Sequence, residues 1–166
     1  FARMEWELDG FAFPLDQFAA HFESIARPRQ IEWTLHRSDK PLRMAVLVSK
    51  QAHCLYDILA RYESGERPIE IALVLSNHDT HRGLVERHGV PFHHIPVTAA
   101  DKPAAEARQI ALLQGARVDF VVLARYMQIL SPAFVQAFPM RILNIHHSFL
   151  PAFAGGKPYQ QAYERG

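Results

Sequence analysis

From Ala2 to Leu8 the chain alternates strictly, with Ala2, Met4, Trp6 and Leu8 apolar and Arg3, Glu5 and Glu7 polar. That period of two predicts a half-buried strand over residues 1–8, and Ile31, Trp33 and Leu35 set against Glu32, Thr34 and His36 predict a second over 31–37. Between them Leu15, Phe18, Ala19, Phe22 and Ile25 recur at helical spacing, after Pro14 and before Pro28. Strands with one apolar face belong to a one-sided sheet, usually antiparallel. Two such strands and one helix bury too little surface to stand alone, since stability falls steeply below about 40 residues. The segment therefore reads as part of a small α+β domain, or as an edge completed by a partner.

Beyond the polar stretch 37–40 and Pro41 the pattern changes. Met44 to Val48, Ile69 to Leu75, interrupted only by Glu70, and Phe120 to Ala124 are apolar runs suited to strands buried on both faces. Helical stripes separate them. One is Leu55, Ile58, Leu59 and Tyr62, closed by Gly65; another runs from Asp101 as cap through Pro103, Ala107, Ile110 and Ala111 to Gly115. A short helix is expected after Ser131-Pro132, with Phe134, Val135 and Phe138 inward and Pro139 ending it. Buried strands alternating with helices predict an α/β fold with a doubly wound, mostly parallel sheet. In such sheets ligands bind beyond the carboxyl ends of the strands, where strand order reverses. The segments to search are thus Ser49 to Cys54, Asn77 to Arg82, Arg125 to Leu130 and Asn144 to Pro151.

Charge narrows the partners. Eighteen Lys and Arg against seventeen Asp and Glu give a net charge of +1 over 166 residues, so no broad cationic face exists for nucleic acid or an acidic membrane surface. No apolar run approaches the roughly 20 residues that cross a bilayer. Cys54 is the single cysteine, which excludes an intrachain disulfide. With no signal-peptide-like run among these residues, a reducing cytoplasm is the expected compartment. The chain opens on Phe1 rather than methionine, as an interior piece of a longer protein would.

The segment from Asn144 is richest in chemistry. Asn144 and His146 stand two apart on an expected strand, so both side chains leave on one face. A carboxamide and an imidazole together can hold the oxyanion of a tetrahedral intermediate, which suits acyl transfer or hydrolysis. The pair equally fits a turn in which Asn144 satisfies backbone groups and His146 is a core histidine. Ten histidines, among them His93-His94 and His146-His147, invite a metal reading, but no Cys cluster, HExxH or facial triad accompanies them, and no metal is expected. Cys54, in the first turn of a helix, fits either a nucleophile or, better, a small core residue. The loop Ser49 to Cys54 holds no glycine to bring backbone N–H groups to a phosphate, although Lys50 can bind one as a point charge. The side chains of Tyr126, Met127, Gln128 and Leu130 would line an apolar slot for a heteroaromatic ring, or else simply pack in the core.

Taken together, Asn144-Ile-His-His-Ser-Phe-Leu-Pro151, the preceding Leu123-Ala-Arg-Tyr-Met-Gln-Ile-Leu-Ser-Pro132 and the following Gly155-Gly-Lys-Pro-Tyr159 resemble the formyltransferase-fold family that uses 10-formyltetrahydrofolate. His147, the 50–54 loop and Ala162-Tyr-Glu-Arg-Gly166 resemble its hydrolytic branch, the deformylases. The resemblance implies that residues 1–40 are the later part of an ACT-like domain and 41–166 the first part of the catalytic domain. It implies hydrolysis of 10-formyltetrahydrofolate to tetrahydrofolate and formate, which would supply one-carbon and purine metabolism, with no permanently bound cofactor. Asn144 and His146 match the catalytic pair; Tyr126, Met127, Gln128, Leu130, His147 and Ser148 match the folate-binding positions. The family's third catalytic residue, an aspartate, is expected beyond Gly166, so residues 1–166 by themselves are expected to be nearly inactive. An amino-acid effector at the ACT-like part and homo-oligomerisation are further implications. The same residues leave two other readings: a formyltransferase acting on an amine such as glycinamide ribonucleotide, and a noncatalytic folate-binding regulatory module.

Overall fold

The computed structural model describes residues 2–12, 14–35, 37, 40–66, 68–145 and 158–165. It divides into two compact units, Phe1–Asp39 and Lys40–Gly166.

In the first unit a helix, α1 (Leu15–Ala26), follows Pro14 and ends in a 3-10 turn, Arg27–Arg29. Pro28 explains the stop, because a proline continues no α-helical hydrogen bond. The inward stripe is Leu15, Phe18, Phe22 and Ala26, whereas Ala19 and Ile25, expected inward, are exposed. At 100° per residue each lies one step off the line that Phe18, Phe22 and Ala26 define. Aromatic contacts organise this unit: Phe18 sits 5.3 Å from Trp6 and 5.5 Å from Phe22, and Phe22 meets Trp33 edge-on at 4.9 Å. Trp33 Nε1 donates to Glu23 at 2.9 Å. The strands expected over 1–8 and 31–37 are not formed among the described residues. Alternation makes one face of a strand but not the neighbouring edge that a ladder requires, and neither segment has one here.

The second unit runs β1 (Leu42–Val48), α2 (His53–Glu63), β2 (Ile69–Ser76), α3 (Arg82–Arg87), β3 (Phe92–His94), α4 (Lys102–Gly115), β4 (Phe120–Ala124), α5 (Pro132–Ala137), β5 (Ile142–Ile145) and α6 (Pro158–Arg165). All five strands are parallel, in the order β3-β2-β1-β4-β5. This is the doubly wound α/β sheet expected from the apolar runs. Each central strand divides its residues between two cores. Met44, Val46, Val48, Val74 and Val122 pack with Leu55, Leu59 and Val85 of α2 and α3. On the other face Ala45, Leu47, Leu75, Val121 and Leu123 pack with Leu113 of α4 and Phe134 and Phe138 of the α5 segment. Burial on both faces is why these strands read as near-continuous hydrophobic runs.

Three details differ from the sequence pattern. The buried face of α4 is Ala105, Glu106, Gln109 and Leu113, while Pro103, Ala107 and Ala111 are exposed. Asp101 occupies the N-cap position, but its carboxylate accepts from the Thr98 N–H and hydroxyl, both at 2.7 Å, rather than from the helix. Val135 of α5 is exposed, since Phe134 and Phe138, four apart, already fill the inward line. Ser131 does cap α5, accepting from the Phe134 N–H at 3.2 Å.

Candidate active site

Strand register brings the carboxyl ends level. Val48 pairs with Ser76 and with Ala124, Ser76 with His94, and Ala124 with Ile145. Ser49, Asn77 and Arg125, the next residues of three neighbouring strands, therefore stand side by side. From β1 the chain winds outward to β2 and β3, then returns to build β4 and β5 on the other side, so strand order reverses between β1 and β4. Ligands of open α/β sheets bind in this crevice. Asn144 lies beside it on β5, opposite Leu123, one residue inside the edge and exposed.

A run of hydrogen bonds crosses the reversal. Ser49 is buried, and its hydroxyl donates to Asn77 Oδ1 at 2.8 Å while accepting the Met127 N–H at 3.0 Å. Asn77 Nδ2 in turn donates to His78 Nε2 at 3.4 Å. His81 Nε2 donates to the Lys50 carbonyl at 3.1 Å, tying the loop after β1 to the loop after β2. Burial, then the positive charge of Lys50 and the neighbouring His94 and His81, hold His78 below the usual imidazole range. A neutral imidazole keeps the Nε2 lone pair that the Asn77 amide needs. Asp79 sits below the usual carboxylate range because Arg82 donates to it at 2.8 Å, and His94 Nδ1 lies 3.8 Å from the same carboxylate oxygen.

The segment leaving β4 is anchored from two sides. Arg125 takes a left-handed conformation, φ 54°, which turns the chain sharply at the strand end. Tyr126 then plunges into the core, where Gln109 Nε2 donates to its hydroxyl at 3.0 Å. Burial pushes the Tyr126 phenol above its usual value, partly offset by that hydrogen bond. Farther along, Lys102 Nζ donates to the Ile129 carbonyl, and Glu106 accepts the Ser131 N–H at 3.1 Å. Lys102, Glu106 and Gln109 lie at i, i+4 and i+7 on α4, one polar stripe gripping one loop. Met127 and Ile129 project outward, 53% and 85% exposed, while Leu130 packs against the core. The main-chain groups of Gln128 and Leu130 have no partner among the described residues. Arg125 Nε and Gln109 Oε1 are buried and likewise unpartnered among them.

Of the residues singled out from sequence, Asn144, Tyr126, Met127, Gln128 and Leu130 thus gather on β5 and the β4 exit, although the Tyr126 ring faces inward and leaves only its main chain to the crevice. His146, His147 and Ser148 lie outside the described residues. Cys54, in the first turn of α2, packs against the core, partly buried. Ser49 and Asn77 open two of the loops marked for search but carried no role of their own there, and the Lys102–Glu106–Gln109 stripe did not stand out in the sequence. Their signal was a serine or asparagine at the carboxyl end of a largely apolar strand, and polar residues repeating at helical spacing. Among the described residues no three His, Cys, Asp or Glu side chains gather to hold a metal ion, and no helix is long and apolar enough to cross a membrane.

A formyltetrahydrofolate deformylase of Synechocystis sp. is 46% identical over 164 residues, which is 99% of this chain and 57% of the relative. The crystal structure of a formyltetrahydrofolate deformylase from Pseudomonas syringae pv. tomato matches with a TM-score of 0.90 at 43% identity, covering 95% of this chain and 53% of its own. Glycinamide ribonucleotide transformylase 1 from Symbiobacterium toebii matches at a TM-score of 0.69 and 37% identity, over 81% of this chain and 65% of its own. The chain spans a little more than half the length of the two deformylases. The formyl transferase family model matches residues 42–166, from the first strand of the parallel sheet onward, and the chain belongs to that family.

Proposed function

We propose that the whole protein carrying this chain hydrolyses 10-formyltetrahydrofolate to tetrahydrofolate and formate. The observation that carries this reading is the juxtaposition at the strand-order reversal. Asn144 lies exposed on β5, next to a β4 exit whose Gln128 and Leu130 main-chain groups are free of the described residues. The glycine-free loop after β1 favours water over a phosphorylated amine as acceptor. Similarity along 99% of the chain to a relative named for this hydrolysis supports the same choice.

In this reading the pteridine ring lies along residues 126–130, with His147 and Ser148 completing the folate contacts. Asn144 donates an amide N–H to the formyl oxygen and His146 shares the developing negative charge. Water adds its oxygen to the formyl carbon as a base takes one of its protons. Collapse of the tetrahedral intermediate breaks the bond from carbon to N10, the nitrogen gains a proton, and formate departs. An aspartate beyond Gly166 positions the water and raises the proton affinity of His146. No permanently bound cofactor enters this sequence of steps. Residues 1–40 act as the later part of an ACT-like domain that takes an amino-acid effector and joins copies of the chain, in a reducing cytoplasm.

Formate release from 10-formyltetrahydrofolate by the whole protein tests the proposal. Asn144→Ala and His146→Ala are each expected to lower kcat by about a hundredfold or more. Near wild-type rates in both would overturn the site. Similarity to a glycinamide ribonucleotide transformylase favours a second reading, formyl transfer to an amine. Tetrahydrofolate appearing only when glycinamide ribonucleotide is added would establish it instead, and tight folate binding without turnover in either assay would mark a noncatalytic module. A monomer in light scattering of the whole protein would count against assembly through the first unit.

A further inference from the structure

We propose that Ser49 is a positioning residue for folate binding: its hydroxyl sets the main chain of Met127, and through it the wall that receives the pteridine ring. This inference rests on the folate reading above and names a residue of that site outside the catalytic pair.

Both capacities of the hydroxyl are in use. Ser49 is 3% exposed, donates to Asn77 Oδ1 at 2.8 Å and accepts from the Met127 N–H at 3.0 Å. One side chain thus joins the ends of β1, β2 and β4 across the point where strand order reverses. The Met127 N–H has no other partner among the described residues. It belongs to the second residue after the left-handed Arg125, where the chain has left the ladder and no sheet hydrogen bond can take over.

The remaining anchors of the segment lie elsewhere. Gln109 holds the Tyr126 hydroxyl, at the far end of a long side chain, and Lys102 and Glu106 hold Ile129 and Ser131. Without the Ser49 hydroxyl the segment keeps those three anchors and loses the one on main chain at Met127. Displacement then concentrates at Met127 and Gln128, beside the Gln128 and Leu130 main-chain groups that no described residue partners. Asn144 is carried by β5 and paired to β4 at Leu123, inside the ladder, so its place does not depend on this bond. Ser49 therefore governs how tightly folate is held and not the bond-breaking step.

The test uses the whole protein with Ser49→Ala and Ser49→Thr, measuring kcat and KM for 10-formyltetrahydrofolate, binding of 5-formyltetrahydrofolate as a stable probe, and amide hydrogen exchange at Met127. Loss of one buried hydrogen bond predicts that S49A raises KM and the probe's Kd about tenfold, with kcat within about threefold of wild type. Exchange at Met127 is expected to accelerate about tenfold or more while amides within β1 and β4 stay protected, and S49T, which retains the hydroxyl, restores both readings. Unchanged KM and Kd in S49A overturn the assignment, as does a fall in kcat at constant KM or equal acceleration in the strand amides, which marks general loosening. If the wild-type protein neither binds the probe nor turns over the substrate, the folate reading itself fails and this role with it. A folate-binding wild type matched by S49A removes Ser49 alone.

Discussion

Arg117 holds the left-handed turn that closes α4, with φ 51° and its N–H donating to the Gln114 carbonyl at 2.9 Å. The sequence marks Gly115 as the stop, yet Gly115 is the last helical residue and the reversal falls two residues later. A glycine signals that a helix is ending nearby, but the position of the turn depends on how far packing carries the helix, here to the buried Leu113 and Val118 on either side. A non-glycine residue in the left-handed region bears a cost of roughly 1–2 kcal/mol. Since Arg117 is exposed, Arg117→Gly is expected to stabilise the protein by about 0.5–1 kcal/mol, after the greater freedom of glycine in the unfolded chain is set against the relief. A urea midpoint at or below that of wild type would contradict this. Arg125 shares the conformation but buries its Nε, so the same substitution there removes more than strain.

At the level of elements, β1, β2 and β4 were legible because burial on both faces writes a near-continuous apolar run, and β4 matches its expected bounds, Phe120–Ala124, whereas the edge strand β3, only Phe92–His94, writes no such run. Helix α4 was legible as a helix but its face was not. Ala107, Ile110 and Ala111 form a plausible apolar line, yet alanine is so small that it weakly distinguishes inside from outside, and the face actually buried carries Glu106 and Gln109. Polar residues at a buried face mean polar partners, here the Ser131 N–H and the Tyr126 hydroxyl. Tyr126→Phe strips Gln109 of its hydroxyl acceptor and should cost about 1–2 kcal/mol. Combining it with Gln109→Leu leaves no polar group stranded, and the double variant should recover at least half of that loss. Urea unfolding of the wild type, both single variants and the double variant closes the cycle. Strictly additive losses would show that the two side chains do not act as a pair. The first unit failed in the opposite sense: its alternation was real, but pairing needs a neighbour that a one-strand pattern cannot specify.

For the molecule as a whole, near-zero net charge and level strand ends concentrate the electrostatics on one edge of the sheet. Lys50, His78, His81, Arg82 and His94 collect at the carboxyl side of β1, β2 and β3, with the carboxylates of Asp79 and Glu86 both on Arg82. The sequence named the loops that meet there but not which side chains face one another, because that depends on strand order, and order is not written in any single run. The consequence is a dependence of stability on pH. His78 has its folded-state pKa below the ordinary 6.5, since burial and the surrounding positive groups disfavour the imidazolium. Below about 6.5 the unfolded chain therefore binds more protons at this residue than the folded one, and stability rises with pH in that window. Its contribution is complete above the unfolded value and is lost as pH falls through the folded one. Protonation also takes from Asn77 the lone pair on which its amide rests, at the end of the hydrogen-bond run that begins at Met127. Urea midpoints at about pH 7.5 and about pH 5.5 should fall further for the wild type than for His78→Gln, which keeps an acceptor and cannot charge. The difference between the two proteins isolates His78, and parallel curves would place the sensitivity elsewhere.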